Sequence, residues 1–125
     1  MMMGLASFGV SAAEMNVTLS GDQEAPPVKT MASGEGQFMV EDDMSLSGIV
    51  KTEGVKGTAA HIHAGAAGEN GPVVVPLTMK GSNEWIVPAD TKLTAAQLAE
   101  LKAGGMYVNV HSDAHKDGEI RAQLK

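Results

Sequence analysis

The sequence predicts an all-β domain, an antiparallel Greek-key sandwich or barrel of about eight strands with one short crossover helix. Three observations carry that expectation. Short segments in which apolar and polar side chains alternate recur at regular spacing. Gly-, Pro- and Asp-rich breaks separate them. Only one segment has the start and stop signals of a helix. A chain of 125 residues is the length of one domain with one core. That core must be aliphatic, because the aromatic residues are only Phe8, Phe38, Trp85 and Tyr107.

Met1 to Ala13 is uncharged and rich in Met, Gly, Ala and Ser. Its end, Val10-Ser11-Ala12-Ala13, fits signal-peptidase cleavage after Ala12 or Ala13. The expected organisation is therefore a leader over 1–13 and a domain over 14–125, exported to the periplasm or secreted. Asn16 to Ser20 alternates as a half-buried strand does. Gly21 to Thr30 carries Pro26-Pro27, which lack the N–H a central ladder needs, and reads as a loop or edge crossing. Gln37 to Val40 and Leu46 to Lys51 read as a hairpin around the acidic turn Glu41-Asp42-Asp43.

Thr58 to Ala64 is the next strand, followed by a Gly-rich loop from Gly65 to Pro72. Val73 to Met79 reads as a strand, with Pro76 marking an edge or bulge, and Trp85 to Val87 as another. Thr94-Ala95-Ala96-Gln97 is a capping box, and Gly104-Gly105 ends the helix it opens after about three turns. In Met106 to His111, the residues Met106, Val108 and Val110 face one way and Tyr107, Asn109 and His111 the other. In Glu119 to Leu124, Ile120, Ala122 and Leu124 likewise oppose Glu119, Arg121 and Gln123.

Composition excludes several function classes. A net charge of -6 with no basic cluster disfavours nucleic acid or an anionic membrane surface as the main partner. No stretch reaches the roughly 20 apolar residues of a membrane-spanning helix. Without cysteine there is no disulfide framework, thiolate metal site or cysteine nucleophile. His111-Ser112-Asp113 are sequence neighbours and cannot adopt triad geometry. The glycines of residues 65–71 lack the Lys-Ser/Thr of a phosphate loop.

What remains is histidine. All four lie in two short stretches, Ala60-His61-Ile62-His63-Ala64 and Asn109-Val110-His111-Ser112-Asp113-Ala114-His115. On a strand His61 and His63 leave the same face, and parity places His111 on a solvent face opposite Val108 and Val110. If the two strands are neighbours these imidazoles can share a metal ion, and the loop after His111 can fold His115 back as a fourth ligand. Neutral imidazoles without thiolate suit copper(II), zinc, nickel or cobalt, and the general affinity order puts copper first with zinc as the alternative. Asn109, Asp113, Glu119 and Arg121 are the expected supporting residues, with Glu119 or Asp113 accepting the second N–H of His111. An ordinary surface pair between Glu119 and Arg121 is the competing reading. Glu24 is a more distant candidate, since the Pro-rich turn after it favours a surface position.

The chain also resembles a known family. Leu19-Ser20-Gly21 with Glu24-Ala25-Pro26-Pro27-Val28, Ala60-His61-Ile62-His63, Gly68-Glu69-Asn70-Gly71-Pro72-Val73, Leu93-Thr94, Tyr107-Val108-Asn109-Val110-His111 and Gly118-Glu119-Ile120-Arg121-Ala122-Gln123-Leu124 together resemble a CHRD domain, the module first described in chordin. Ala122 departs from the Gly usual after the Arg. The resemblance implies an extracellular or periplasmic β-sandwich of loosely defined biochemical role. The His-x-His strand with a later histidine is similar to the copper ligand pattern of copper/zinc superoxide dismutase. That similarity would make His61, His63 and His111 or His115 copper ligands and Arg121 an anion-steering group. It supplies no counterpart for a bridging histidine or zinc loop. The expected function is copper handling or redox chemistry such as superoxide dismutation. The alternative is a non-catalytic module with structural histidines, whose loop from Gly65 to Pro72 contacts a protein or glycan. A protein partner or a second copy of the chain stays open in either reading.

Overall fold

A computed structural model describes residues 13–125; the expected leader lies outside them except for Ala13. Strands β1 (Ala13–Ser20), β2 (Ser33–Val40) and β3 (Leu46–Glu53) form an antiparallel meander. The chain then crosses the molecule to form β4 (Gly57–Ala64) and its hairpin partner β5 (Val73–Pro76). Next, β6 (Thr78–Met79) and β7 (Glu84–Ile86) pair on the far side of β3. After the helix α1 (Ala95–Lys102), β8 (Met106–Ser112) and β9 (Ile120–Gln123) fill the gap between β4 and β1. The spatial order is β5-β4-β8-β9-β1-β2-β3-β7-β6, with every pair antiparallel.

The all-β expectation holds, with nine strands in a nearly closed, barrel-like sheet. The ninth arises because Val73 to Met79 is two strands. Pro76 cannot donate to a ladder, and Leu77 turns its N–H to the Ala60 carbonyl at 2.9 Å, carrying the chain from one sheet edge to the other. A single residue thus links the two ends of the strand order. The capping box forms as read: Gln97 N–H donates to the Thr94 hydroxyl at 3.1 Å, and Thr94 N–H donates to the Gln97 side chain at 2.9 Å. The helix has eight residues, about two turns rather than three, and it ends where expected, with Gly104 at a positive φ of 80° just after it.

Inside the sheet the core is mainly aliphatic, with Leu19, Val40, Val50, Ile62, Val108 and Val110 in one buried cluster with Phe38 and Trp85. Parity correctly assigns the inward faces of β8 and β9. Their outward faces were expected in solvent, and here the structure differs: Tyr107, Asn109, Arg121, Glu119 and Gln123 are all buried, as is His63 on β4. Strand period fixes which side a residue takes, whereas its exposure depends on what the loops do. Two loops fold back over this face, the Pro-rich segment after β1 and the Gly-rich segment between β4 and β5.

Arg121 is central to that cover. It has no exposed surface, and its guanidinium lies 3.4 Å from the Tyr107 ring centroid. It donates to the Ala66 carbonyl at 3.0 Å, to the Asn70 side chain at 3.4 Å and to the Gln123 side chain at 3.2 Å. Asn70 in turn donates to the Ala25 carbonyl at 2.6 Å, tying one loop to the other. Gln123 adds bonds to the Gly65 and Gly104 carbonyls at 2.7 and 2.9 Å. Gly71 must lack a side chain, since a Cβ there would run into the Ala64 carbonyl.

Candidate metal centre

The site begins with the pairing of β4 and β8. Their ladder sets His61 opposite Asn109 and His63 opposite Tyr107, while His111 lies one step further along the same face. His61, His63 and His111 therefore converge, and their candidate ligand atoms all lie within 4.8 Å of one another. The His61 and His111 rings meet edge to face with centroids 4.8 Å apart. His63 stacks on Tyr107, with centroids 4.7 Å apart and planes 2° from parallel. Register places Arg121 and His63 on the strands either side of Tyr107, so the ring that holds His63 flat is itself held by the buried guanidinium. A β-bulge between Ile62 and His63 locally re-aims this part of β4.

Outer hydrogen bonds choose the ligand atoms. His63 Nδ1 lies 3.0 Å from the Gly71 carbonyl and His111 Nδ1 lies 2.9 Å from the Lys116 carbonyl. A carbonyl only accepts, so both Nδ1 atoms carry the proton and both Nε2 atoms present a lone pair. His63 Nε2 is buried and has no partner in the protein. His61 Nδ1 and His111 Nε2 face each other at 3.1 Å. Two nitrogens on one ion, with metal–nitrogen bonds near 2.0–2.1 Å, stand about 2.9 Å apart at a right angle and about 3.3 Å apart at the tetrahedral angle. The observed separation falls between these. Backbone carbonyls orienting ligating imidazoles is the usual supporting arrangement at such sites.

Electrostatics favour neutral imidazoles. Burial, then the neighbouring His111 and His63, hold His61 below the usual histidine pKa. Burial is also the main cause for His63. The Gly71 carbonyl opposes it, His111 adds to it, the Asn109 side chain opposes it and Arg121 lowers it further. A metal needs the unprotonated ring, so both shifts favour binding. His63 and His111 open onto a cleft of about 330 Å³ lined also by Asn109, Tyr107 and Lys116. A larger cleft of about 550 Å³, between the two loops, has no histidine in its wall.

The other expected residues divide. His115 is not brought to the cluster. Its backbone exchanges hydrogen bonds with Ser112, both at 3.2 Å, and this turn directs it away. Asp113 is exposed and makes no side-chain bond to His111, and Glu119 does not reach it either. The acceptor expected from one of these carboxylates is the Lys116 carbonyl. Glu119 is buried and accepts from Thr30 and Ser112 hydroxyls at 2.6 and 2.7 Å. Burial would raise its pKa, but these two bonds and His115 leave it lowered. Glu119 and Arg121 form no surface pair, and the buried Arg121 pins a loop instead of facing the cleft as an anion-steering group would.

Sequence reasoning undervalued Glu24. It is buried against the outer face, accepts from Asn109 Nδ2 at 3.4 Å, and burial pushes its pKa up to about 7. Its one signal was its place in the Glu24-Ala25-Pro26-Pro27 motif, a carboxylate ahead of a rigid turn. Gly118, with φ of 123°, leaves the room this contact needs, since a Cβ there would collide with both Asn109 and Glu24. Gly118→Ala should cost about 1–3 kcal/mol. Urea unfolding checks this, and an unchanged midpoint contradicts it.

Among the described residues no helix is long and apolar enough to cross a membrane. In comparisons with curated proteins and with solved structures, nothing matches the chain. The model of the CHRD domain family matches residues 15–124, which is nearly every described residue and includes both histidine stretches. The chain is a member of the CHRD domain family.

Proposed function

We propose that this domain is exported and binds one transition-metal ion, copper before zinc, through His61 Nδ1, His63 Nε2 and His111 Nε2. The observation that carries the reading is the buried, unpartnered His63 Nε2 beside a facing His61–His111 nitrogen pair 3.1 Å apart. A buried lone pair without a donor is rare unless something absent from the chain completes it. An all-imidazole donor set favours copper by the general affinity order. Copper handling is the simplest use of such a site, and redox turnover of a small oxygen species is its extension, since three protein ligands leave room for another group.

Titrating the metal-free protein with copper(II) and zinc(II) tests the reading. One equivalent should bind, and His61→Ala with His63→Ala together should weaken copper by at least about tenfold. Unchanged stoichiometry and affinity in the double variant would refute it. A pulse of superoxide given to copper-loaded protein, compared with His111→Ala, separates a catalyst from a carrier.

A further inference from the structure

Beside His63 Nε2, a second buried atom on this face lacks a partner: Asn109 Oδ1, on a residue only 1% exposed. An ion held by the three histidines completes the first atom and leaves the second. The amide is not free to turn over. Its Nδ2 faces two acceptors, Glu24 Oε2 at 3.4 Å and the Asp117 carbonyl at 3.5 Å, and a flip would set oxygen against oxygen. Asn109 also sits among the ligands, directly opposite His61 across the β4–β8 ladder and two residues before His111 on the same strand face. The cleft that reaches His63 and His111 reaches Asn109 as well. Three nitrogens would therefore bound an ion on the protein side, with the Asn109 amide oxygen as a fixed acceptor in the same cleft wall.

We infer that the bound ion keeps one exchangeable water molecule in the cleft, that this water donates a hydrogen bond to Asn109 Oδ1, and that Glu24 is the positioning residue holding the amide in that orientation. The inference rests on the proposed metal site. An amide oxygen stabilises only ligands that bring a proton, so the position discriminates between small ligands. Water is favoured there over a bare monoanion of similar size. Glu24 acts through the amide and does not touch the ion.

The test uses copper(II)-loaded protein with azide, a small monoanion that has no proton to donate. Wild type should take up one copper, show a bound water by pulsed EPR in ¹⁷O-enriched water, and lose that signal as azide binds. Asn109→Ala should bind azide roughly five- to tenfold more tightly, because the competing water has lost one hydrogen bond, and Glu24→Ala should shift azide affinity in the same direction by a smaller factor, since only the Asp117 carbonyl then holds the amide. Glu24→Gln should match wild type, since its amide oxygen still accepts from Asn109 Nδ2. If Asn109→Ala does not fold, the contrast between Glu24→Ala and Glu24→Gln carries the test, as neither alters β8. Copper bound without an exchangeable water, or equal azide affinity in all variants, overturns the inference and leaves the metal site standing. Failure of the wild type to take up copper overturns both.

Discussion

Copper(II) at a thousandfold excess over its Kd should raise the melting temperature of the domain by roughly 10–20 °C, and His111→Ala should remove most of that rise. The size follows from linkage. A ligand that binds only the folded state adds about 4 kcal/mol at that excess, and each kcal/mol moves the midpoint of a domain this size by about 4 °C. His111 is decisive because its Nε2 faces His61 Nδ1 at 3.1 Å, so its loss leaves one ligand of that pair alone. The pH dependence has a definite sign. His61 and His63 are held below the usual histidine pKa, chiefly by burial, so they remain neutral where a free imidazole is half protonated. The copper-induced shift should therefore persist at pH 6.5 and shrink only below it. Without metal the unfolded chain takes up protons at these two positions before the folded one does. Their contribution to stability is intact above about 6.5 and declines as pH falls toward the depressed folded values. Scanning calorimetry from pH 5 to 8, with and without copper, reads both effects. A copper shift that collapses already above pH 6.5 contradicts the neutral-imidazole account.

Glu24→Gln should stabilise the metal-free protein at pH 8 by on the order of 3 kcal/mol and leave it nearly unchanged at pH 4.5. Burial is the main reason that the folded pKa stands at about 7 against 4.5 for a freely hydrated glutamate, with the Asn109 hydrogen bond and Arg121 pulling it down and Asp117 pushing it up. Between those values the folded protein keeps a proton that the unfolded chain releases, so stability is highest near 4.5 and is lost as pH rises through 7. Glutamine copies the protonated acid in charge and shape and keeps an oxygen for Asn109 Nδ2. Denaturant unfolding at the two pH values decides the matter. Equal stability changes at pH 4.5 and pH 8 would mean that Glu24 is ionised without penalty where it sits.

The clustering of His61, His63 and His111 was legible from period and composition. Strand parity alone puts His61, His63 and His111 on one side of their strands, and the β4–β8 ladder is what makes those sides coincide. Parity says nothing of cover, which is why the outer face read as solvated while Tyr107, Asn109 and Arg121 are buried beneath two loops. The residue types of those loops forbid strand and helix but do not say where the loops lie. The acceptor for His111 was also out of reach, because the Lys116 carbonyl is a backbone group that any residue offers. His115 shares its stretch with His111 and differs only in the turn that Ser112 closes with it, a local geometry that Ser112-Asp113-Ala114-His115 does not specify by residue type. Glu24 is the plainest case. Its sequence neighbours mark a surface turn, yet the fold brings it across 85 positions of chain to Asn109.

The most direct measurement is an anomalous difference map, at the copper edge, from crystals of the copper-loaded domain. One peak lying between His61 Nδ1, His63 Nε2 and His111 Nε2 is the predicted result. A peak centred instead on His115 and Asp113, or no peak in crystals whose elemental content includes copper, would contradict the three-histidine site.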